Sequence, residues 1–338
     1  MPSLTSVEKL TEVFSLALED RSDGYADLVS NSNALLAVMK GMDQFESFSG
    51  PTIRERLLYN ESGTYVRYSG YQYLNPLPAE LFNDAEYYPR LAAVSIALSG
   101  EEILRNSGKA QIRDVMKDHI KAAEVELVDR FTEDLHSDGT AANQIGGLQL
   151  AIPTTVGAGT YGGIDRGANP IWRTASYDAN SAFAGVTQVS SGTVKSILDQ
   201  IVIARSRGKK GPNLILMSQE HFLAYTAATQ AIQRIVDDAG GVGKLGFTSL
   251  KYYGGAGRSI DVVLEGGIGS AMPANTTYLI DTSSLKFRYH EDRNFARFGG
   301  KQMPTNQDAI VQHVGFFGNL TMNNPLHMAK LFDSNPAA

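Results

Sequence analysis

One stretch, Lys109 to about Leu135, limits more than any other what this chain can fold into. Its apolar residues Ile112, Val115, Met116, Ile120, Ala123, Leu127, Phe131 and Leu135 hold a 3.6-residue period over roughly seven turns. Gly108 precedes the run and Ser137-Asp138-Gly139 ends it. Its charges are ordered too. Lys109, Arg113, Lys117 and Lys121 form a basic row at i+4 spacing, whereas Glu124, Glu126, Asp129, Glu133 and Asp134 make the second half acidic. That order opposes the helix macrodipole, at about 0.3–1 kcal/mol per exposed terminal charge. A second copy laid alongside would complement both ends; a merely solvated charged face is the alternative.

From Gly50 to about Pro78 the texture changes to alternation and aromatics. Thr64 to Leu74 is rich in Tyr, Thr and Val, which predicts strand. Turn residues occur at Asn60-Glu61-Ser62-Gly63 and at Ser69-Gly70; the first is preferred as a hairpin tip because it leaves arms of similar length. Arg54, Arg56, Tyr65, Arg67, Tyr68, Tyr71 and Tyr73 sit on this ribbon. A lone two-stranded hairpin is marginal in water, and Tyr and Arg are enriched in buried interfaces. These residues are therefore candidate intersubunit contacts, together with Lys109, Arg113, Lys117, Lys121, Glu133 and Asp134 of the helix. The competing reading is a hairpin whose tyrosines lie on its own domain.

Ahead of the ribbon, Leu10, Phe14 and Leu18 mark a short amphipathic helix, and Ala34 to Met39 is an apolar patch with little near it in sequence. Both suit an arm that docks on something else. Leu91 to Leu98 is a short strand candidate, and Ser99 can cap a helix carrying Glu101 and Glu102 in its first turn. Residues 145–191 are irregular, rich in glycine, poor in charge, and hold the only Trp. A long loop of that kind is usually functional. Beyond it the pattern turns α/β: a helix over 193–207, a buried strand over 213–217, a helix from Ser218 to about Asp237, and strands near 262–264, 277–280, 285–289 and 309–317.

Composition closes several routes. The length of 338 residues fits two domains or one elaborated one. With 30 Lys plus Arg against 36 Asp plus Glu, the net charge of −6 argues against a dedicated nucleic-acid binder. The absence of cysteine removes disulfides, cysteine nucleophiles and thiolate metal sites. No apolar run approaches the roughly 20 residues that cross a bilayer, and Glu8, Lys9, Glu12 and Glu19 break up any signal peptide.

Catalytic motifs fail one by one. Gly157 to Gly162 matches G-x-G-x-x-G, but Gly163 to Pro170 cannot open the helix that a dinucleotide needs. Gly240-Gly241-Val242-Gly243-Lys244-Leu245 has Asp238 where a P-loop needs its first glycine and Leu245 where it needs Ser or Thr. The six histidines never pair at metal-ligand spacing, no G-x-S-x-G occurs, and His290-Glu291-Asp292 reads as a polar turn. Neither catalysis, a cofactor nor a metal is expected.

Taken in order, the parts resemble the major capsid proteins of tailed bacteriophages with the Hong Kong 97-type fold. The most specific stretch is Gln144-Ile145-Gly146-Gly147-Leu148-Gln149-Leu150, with Gly162-Gly163-Ile164-Asp165-Arg166 and Asn169-Pro170-Ile171-Trp172-Arg173; Gly318 to Pro325 is similarly placed. The resemblance implies an α+β chain with an N-terminal arm (1–48) and an extended β-hairpin loop (49–89). It further implies a peripheral domain with the long spine helix (90–148 and 275–330) and an axial domain (149–274) that includes the Gly-rich loop 151–190.

It also implies self-assembly into hexamers and pentamers of an icosahedral head. Such a head would be built in the host bacterial cytoplasm with a portal and would enclose double-stranded DNA non-specifically, with no membrane. Some relatives cross-link a loop lysine to a neighbour's asparagine. No lysine occurs between Lys40 and Lys109, so a non-cross-linked shell is expected. The spine helix begins too early for a long N-terminal scaffolding segment, so a separate scaffolding protein is expected. An encapsulin-like nanocompartment, or an α/β enzyme with a site at 157–167, are the alternatives.

Overall fold

The computed structural model describes residues 33–58, 65–72, 82–101, 109–229, 249–254, 257–265, 271–302 and 308–335. The stripe Leu10–Leu18, the turn at 60–63, Tyr73 and the loop 240–243 lie outside them.

The described chain opens with helix α1 (Ala34–Gly41), capped by Asn33, whose side-chain oxygen accepts from the Leu36 N–H at 3.1 Å. Ala34 to Met39 are all buried, and this corrects the expectation that the patch docks elsewhere. Six consecutive apolar residues leave a helix no polar face, so it is covered on all sides, and the chain's own larger core covers it. Strand β1 (Phe45–Ser47) follows.

The hairpin is built from β2 (Ile53–Leu58) and β3 (Phe82–Tyr87), antiparallel, with Ile53 opposite Tyr87 and Leu58 opposite Phe82. Residues 65–72 form no strand, contrary to the expectation over Thr64–Leu74; a turn sits at Gly70-Tyr71. Strand propensity measures fit to a pleated, half-covered surface. Among the described residues, 65–72 are exposed along their whole length.

Next come β4 (Arg90–Ser99) and the long helix α2 (Lys109–Leu135), which lies along β4. Ile120, Ala123, Leu127, Phe131 and Leu135 are its buried stripe. Gly139 at φ 69° turns the chain after it. Gly147 packs against the helix end so closely that a Cβ there would lie 2.4 Å from the Ser137 nitrogen.

The irregular stretch contains α3 (Leu148–Ala151), a tight hairpin of β5 (Thr160–Tyr161) and β6 (Ile164–Asp165), strand β7 (Ala175–Asp178) and α4 (Ala179–Ala182). The α/β half then runs α5 (Val194–Arg205), β8 (Leu214–Met217), α6 (Gln219–Thr229), β9 (Ser249–Gly254), β10 (Arg258–Leu264) and β11 (Thr276–Ile280). It is followed by β12 (Leu285–Tyr289), β13 (Ala296–Gln302), β14 (Ala309–Met322) and β15 (Ala329–Phe332).

Two large sheets result. One joins β1, β12, β14 and β13, with β4 along β14; the other runs β7-β15-β11-β8-β10-β9. Strand β11 and β15, placed by the resemblance with the peripheral body, hydrogen-bond within the second sheet. Strand β8 is buried on both faces: Leu214 and Leu216 face the larger core, Ile215 and Met217 the core under α5. The second sheet is therefore the wall shared by the two cores.

Candidate assembly interface

The hairpin alternates cleanly. Ile53, Glu55 and Leu57 face inward, while Arg54 and Arg56 face solvent. Arg54 pairs with Glu86 at 2.8 Å and Arg56 with Asp84 at 3.6 Å, both across the strand register, and the Arg56 guanidinium lies 6.0 Å from the Phe82 ring. These arginines are rungs of their own hairpin. Farther along the loop the side chains are exposed: Tyr65 is 84% exposed, Tyr68 63%, and Tyr71 fully so. Arg67 is exposed beside them. Tyr73 lies outside the described residues.

On α2, Lys121 is exposed, and Glu133 pairs with Arg130 at 2.9 Å within the helix. Asp134 turns inward to accept from Gln144 Nε2 at 3.1 Å, and burial raises its carboxyl above the ordinary range. Lys109, Arg113 and Lys117 occupy the first half of the helix, where only the backbone is described. The structure thus gathers Tyr65, Arg67, Tyr68 and Tyr71 on one projecting loop. Lys121 and Glu133 stand exposed on α2.

Three contacts fix how the hairpin leaves the body. Buried Glu55 receives Arg288 Nε at 2.8 Å and Nη2 at 2.7 Å, and the Thr321 hydroxyl at 3.2 Å. Arg288 also pairs with Glu46, which Lys286 holds at 2.6 Å; Lys286 and then Arg288 lower the Glu46 carboxyl against the opposing effect of its burial. The Tyr87 hydroxyl donates to the Met322 carbonyl at 2.7 Å, and the Glu86 N–H to the Gly162 carbonyl at 3.0 Å. Sequence reasoning passed over this network. Its signal was Glu55, a charge on the inward face between Ile53 and Leu57. An open groove of about 470 Å³ lies beside the hairpin base, lined by Arg56, Phe82, Asp84, Glu86 and Gly162 to Ile164.

The glycine-rich motif has no helix behind it. Residues 160–165 form the β5–β6 hairpin, with Gly162 and Gly163 at φ 58° and 74° in its turn. Arg166 is buried and donates from Nη2 to the Leu150 and Ala151 carbonyls at 2.9 and 2.8 Å, and Trp172 Nε1 donates to the Tyr161 carbonyl at 2.9 Å. Asn319 accepts from the Gly146 N–H at 3.0 Å and donates to the Tyr88 carbonyl at 2.9 Å. The most specific motifs of the sequence are thus internal staples between loops. Among the described residues no group of three His, Asp or Glu could hold a metal ion, and no helix is long and apolar enough to cross a membrane.

No protein-family model matches the chain, and no curated protein matches it. Solved structures do. The capsid asymmetric unit of cyanophage A-1(L) superposes with a TM-score of 0.61 at 16% identity, over 88% of this chain and 92% of that one. The capsid of a native GTA particle gives 0.52 at 9% identity over 88% and 90%, and that of an empty GTA particle 0.50 at 10% over the same shares. The chain has a phage-capsid fold of the Hong Kong 97 type. The long helix α2, the β2–β3 hairpin and the two large sheets make up the α+β class that the sequence implied. At these identities the likeness carries the fold and leaves the site residues to be argued from this chain.

Proposed function

We propose that the chain is a shell subunit of a tailed-phage head, assembling with its own copies into hexamers and pentamers around double-stranded DNA. The observation that carries this reading is the projecting hairpin. Its base is fastened by the Glu55–Arg288 pair and by Tyr87, while Tyr65, Tyr68 and Tyr71 farther along it are exposed. Rigid aromatic side chains held out on an oriented ribbon are the anchor chemistry of an interface, and a copy of the same molecule supplies the complementary surface. In this reading the peripheral body comprises the spine helix with the β1/β4/β12–β14 sheet, and the axial body the six-stranded sheet with α5 and α6. The shell holds without cross-links through the hairpin, which has no lysine to offer.

Electron microscopy and sedimentation of the purified protein test the reading. Closed particles or ring-shaped capsomers are expected, with DNA in particles recovered from infected cells. A protein that stays monomeric at every concentration overturns it, and so do shells filled with a cargo enzyme in place of nucleic acid.

A further inference from the structure

The two cores meet at a buried pair of ionisable side chains that the assembly surface does not use. His136 directly follows α2 and is 1% exposed; Glu265 directly follows β10 and is 6% exposed. Their Nε2 and Oε1 atoms lie 3.8 Å apart. His136 Nδ1 is 3.1 Å from the Thr132 carbonyl, which can only accept, so Nδ1 carries a proton and Nε2 of the neutral ring is a bare acceptor turned to the carboxyl. The backbone N–H of Glu265 donates to the Met217 carbonyl at 3.0 Å at the end of β8, and its carboxyl accepts the Leu35 N–H in the first turn of α1. The N-terminal helix, the end of the spine helix and the six-stranded sheet are joined at these two groups.

Among the described residues, other ionisable groups on the surrounding elements are placed as follows. On α2, Asp134 accepts from Gln144, Glu133 pairs with Arg130, and Asp138 beyond the helix is held by Thr140. Lys40 on α1 is exposed, Asp261 is four residues back along β10, and β8 has no ionisable side chain. On α6, His221 is bonded to Thr277 of β11, and Glu220 accepts from Asn275; Tyr278 is the one ionisable residue of β11. The residues after Glu265 read Gly-Gly-Ile-Gly-Ser and bring no charge. Burial pushes Glu265 up to about 7 and His136 below its ordinary value; the Leu35 N–H and the Thr132 carbonyl act in the opposite sense.

We propose that His136 and Glu265 hold one proton between them, and that this shared proton makes the docking of α1 independent of pH across the mildly acidic range. The balance of protons gives the sign. With the joint closed, the pair binds one proton, whichever of the two atoms carries it. With the joint open, both groups return to ordinary values near 4.5 and 6.5. Between those values the open state also binds one proton, now on the imidazole. Closed and open forms bind equally, so the opening equilibrium has no slope. Below about 4.5 the open state takes up a second proton that the closed pair resists, and α1 is released by acid.

Hydrogen exchange of the α1 amides between pH 4.5 and 6.5, corrected for the intrinsic base-catalysed rate, tests this on the full chain. Wild type should show an opening constant that stays within about threefold. His136→Asn leaves a carboxyl that alone prefers the closed state protonated, so opening should grow with rising pH, up to about tenfold per unit. Glu265→Gln leaves an imidazole that resists protonation when closed, so opening should grow as pH falls, by up to the same factor. The double variant should be flat again. If His136→Asn does not fold, His136→Gln takes its place, and each sign is required of whichever variants fold. Flat single variants, a slope of the wrong sign in either, or a sloping wild type overturns the proposal.

Discussion

A carboxylate on the inward face of a strand survives only where a cation reaches it, and Glu55 is such a case. Two nitrogens of Arg288 and the Thr321 hydroxyl meet its Oε1. Removing one member of a largely buried pair leaves the other short of compensation, at roughly 3–5 kcal/mol where burial is complete. Arg288 keeps Glu46 as a second partner, which softens the loss. Glu55→Ala should therefore cost about 2–3 kcal/mol in denaturant unfolding of the subunit, less than a completely buried pair would lose and in the range of hydrogen bonds to charged groups. A loss under about 0.5 kcal/mol, the range of ordinary surface changes, would show that the hairpin base does not depend on this pair. The anomaly at Glu55 was legible from alternation alone. Its partner was not, because Arg288 lies 233 residues away and only tertiary pairing brings it near.

At the scale of elements, the spine helix was legible because its information is local and repeated. Eight apolar positions at one period specify both its length and its buried face, and the helix runs Lys109–Leu135 as the pattern required. Strands β4, β8, β11 and β12 were equally readable from short apolar runs between turn residues. Two elements misled, each for want of knowing what lay beside it. The Ala34–Met39 patch had no visible partner because the core it joins is built from residues such as Leu214, Val263 and Phe287, far along the chain. The Tyr-rich run at 65–72 had strand chemistry but is exposed along its whole length. The helix's own anchor is Phe131, whose ring lies 5.1–5.8 Å from those of Phe287, Phe295 and Phe316 in edge-on geometry. Phe131→Ala empties the middle of that cluster, and about 3–5 kcal/mol of subunit stability should go with it. Thermal and denaturant unfolding check this; a change below 1 kcal/mol would mean the sheet collapses onto the gap.

For the whole molecule the question is which surface the shell needs and the subunit does not. Tyr65, Tyr68 and Tyr71 separate the two, since their exposure means that folding gains little from them. Their replacement should leave subunit stability within about 0.5 kcal/mol, as for surface changes generally. Assembly is another matter. A tyrosine anchored in an interface is worth about 1–2 kcal/mol on truncation, so three together amount to a weakening on the order of 10²–10⁴-fold in subunit association. The triple variant Tyr65→Ser, Tyr68→Ser and Tyr71→Ser should thus keep the wild-type circular dichroism and unfolding midpoint while its critical concentration for shell formation rises by that factor. Light scattering during assembly and microscopy of the products measure it directly. Arg54→Ala and Arg56→Ala provide the contrast, because their carboxylate partners sit on the same hairpin; their effect on assembly should be small beside that of the tyrosines. Shells that form at wild-type concentrations without the three tyrosines would mean that the loop lies free, and that contacts between copies rest on the acidic half of the spine helix instead.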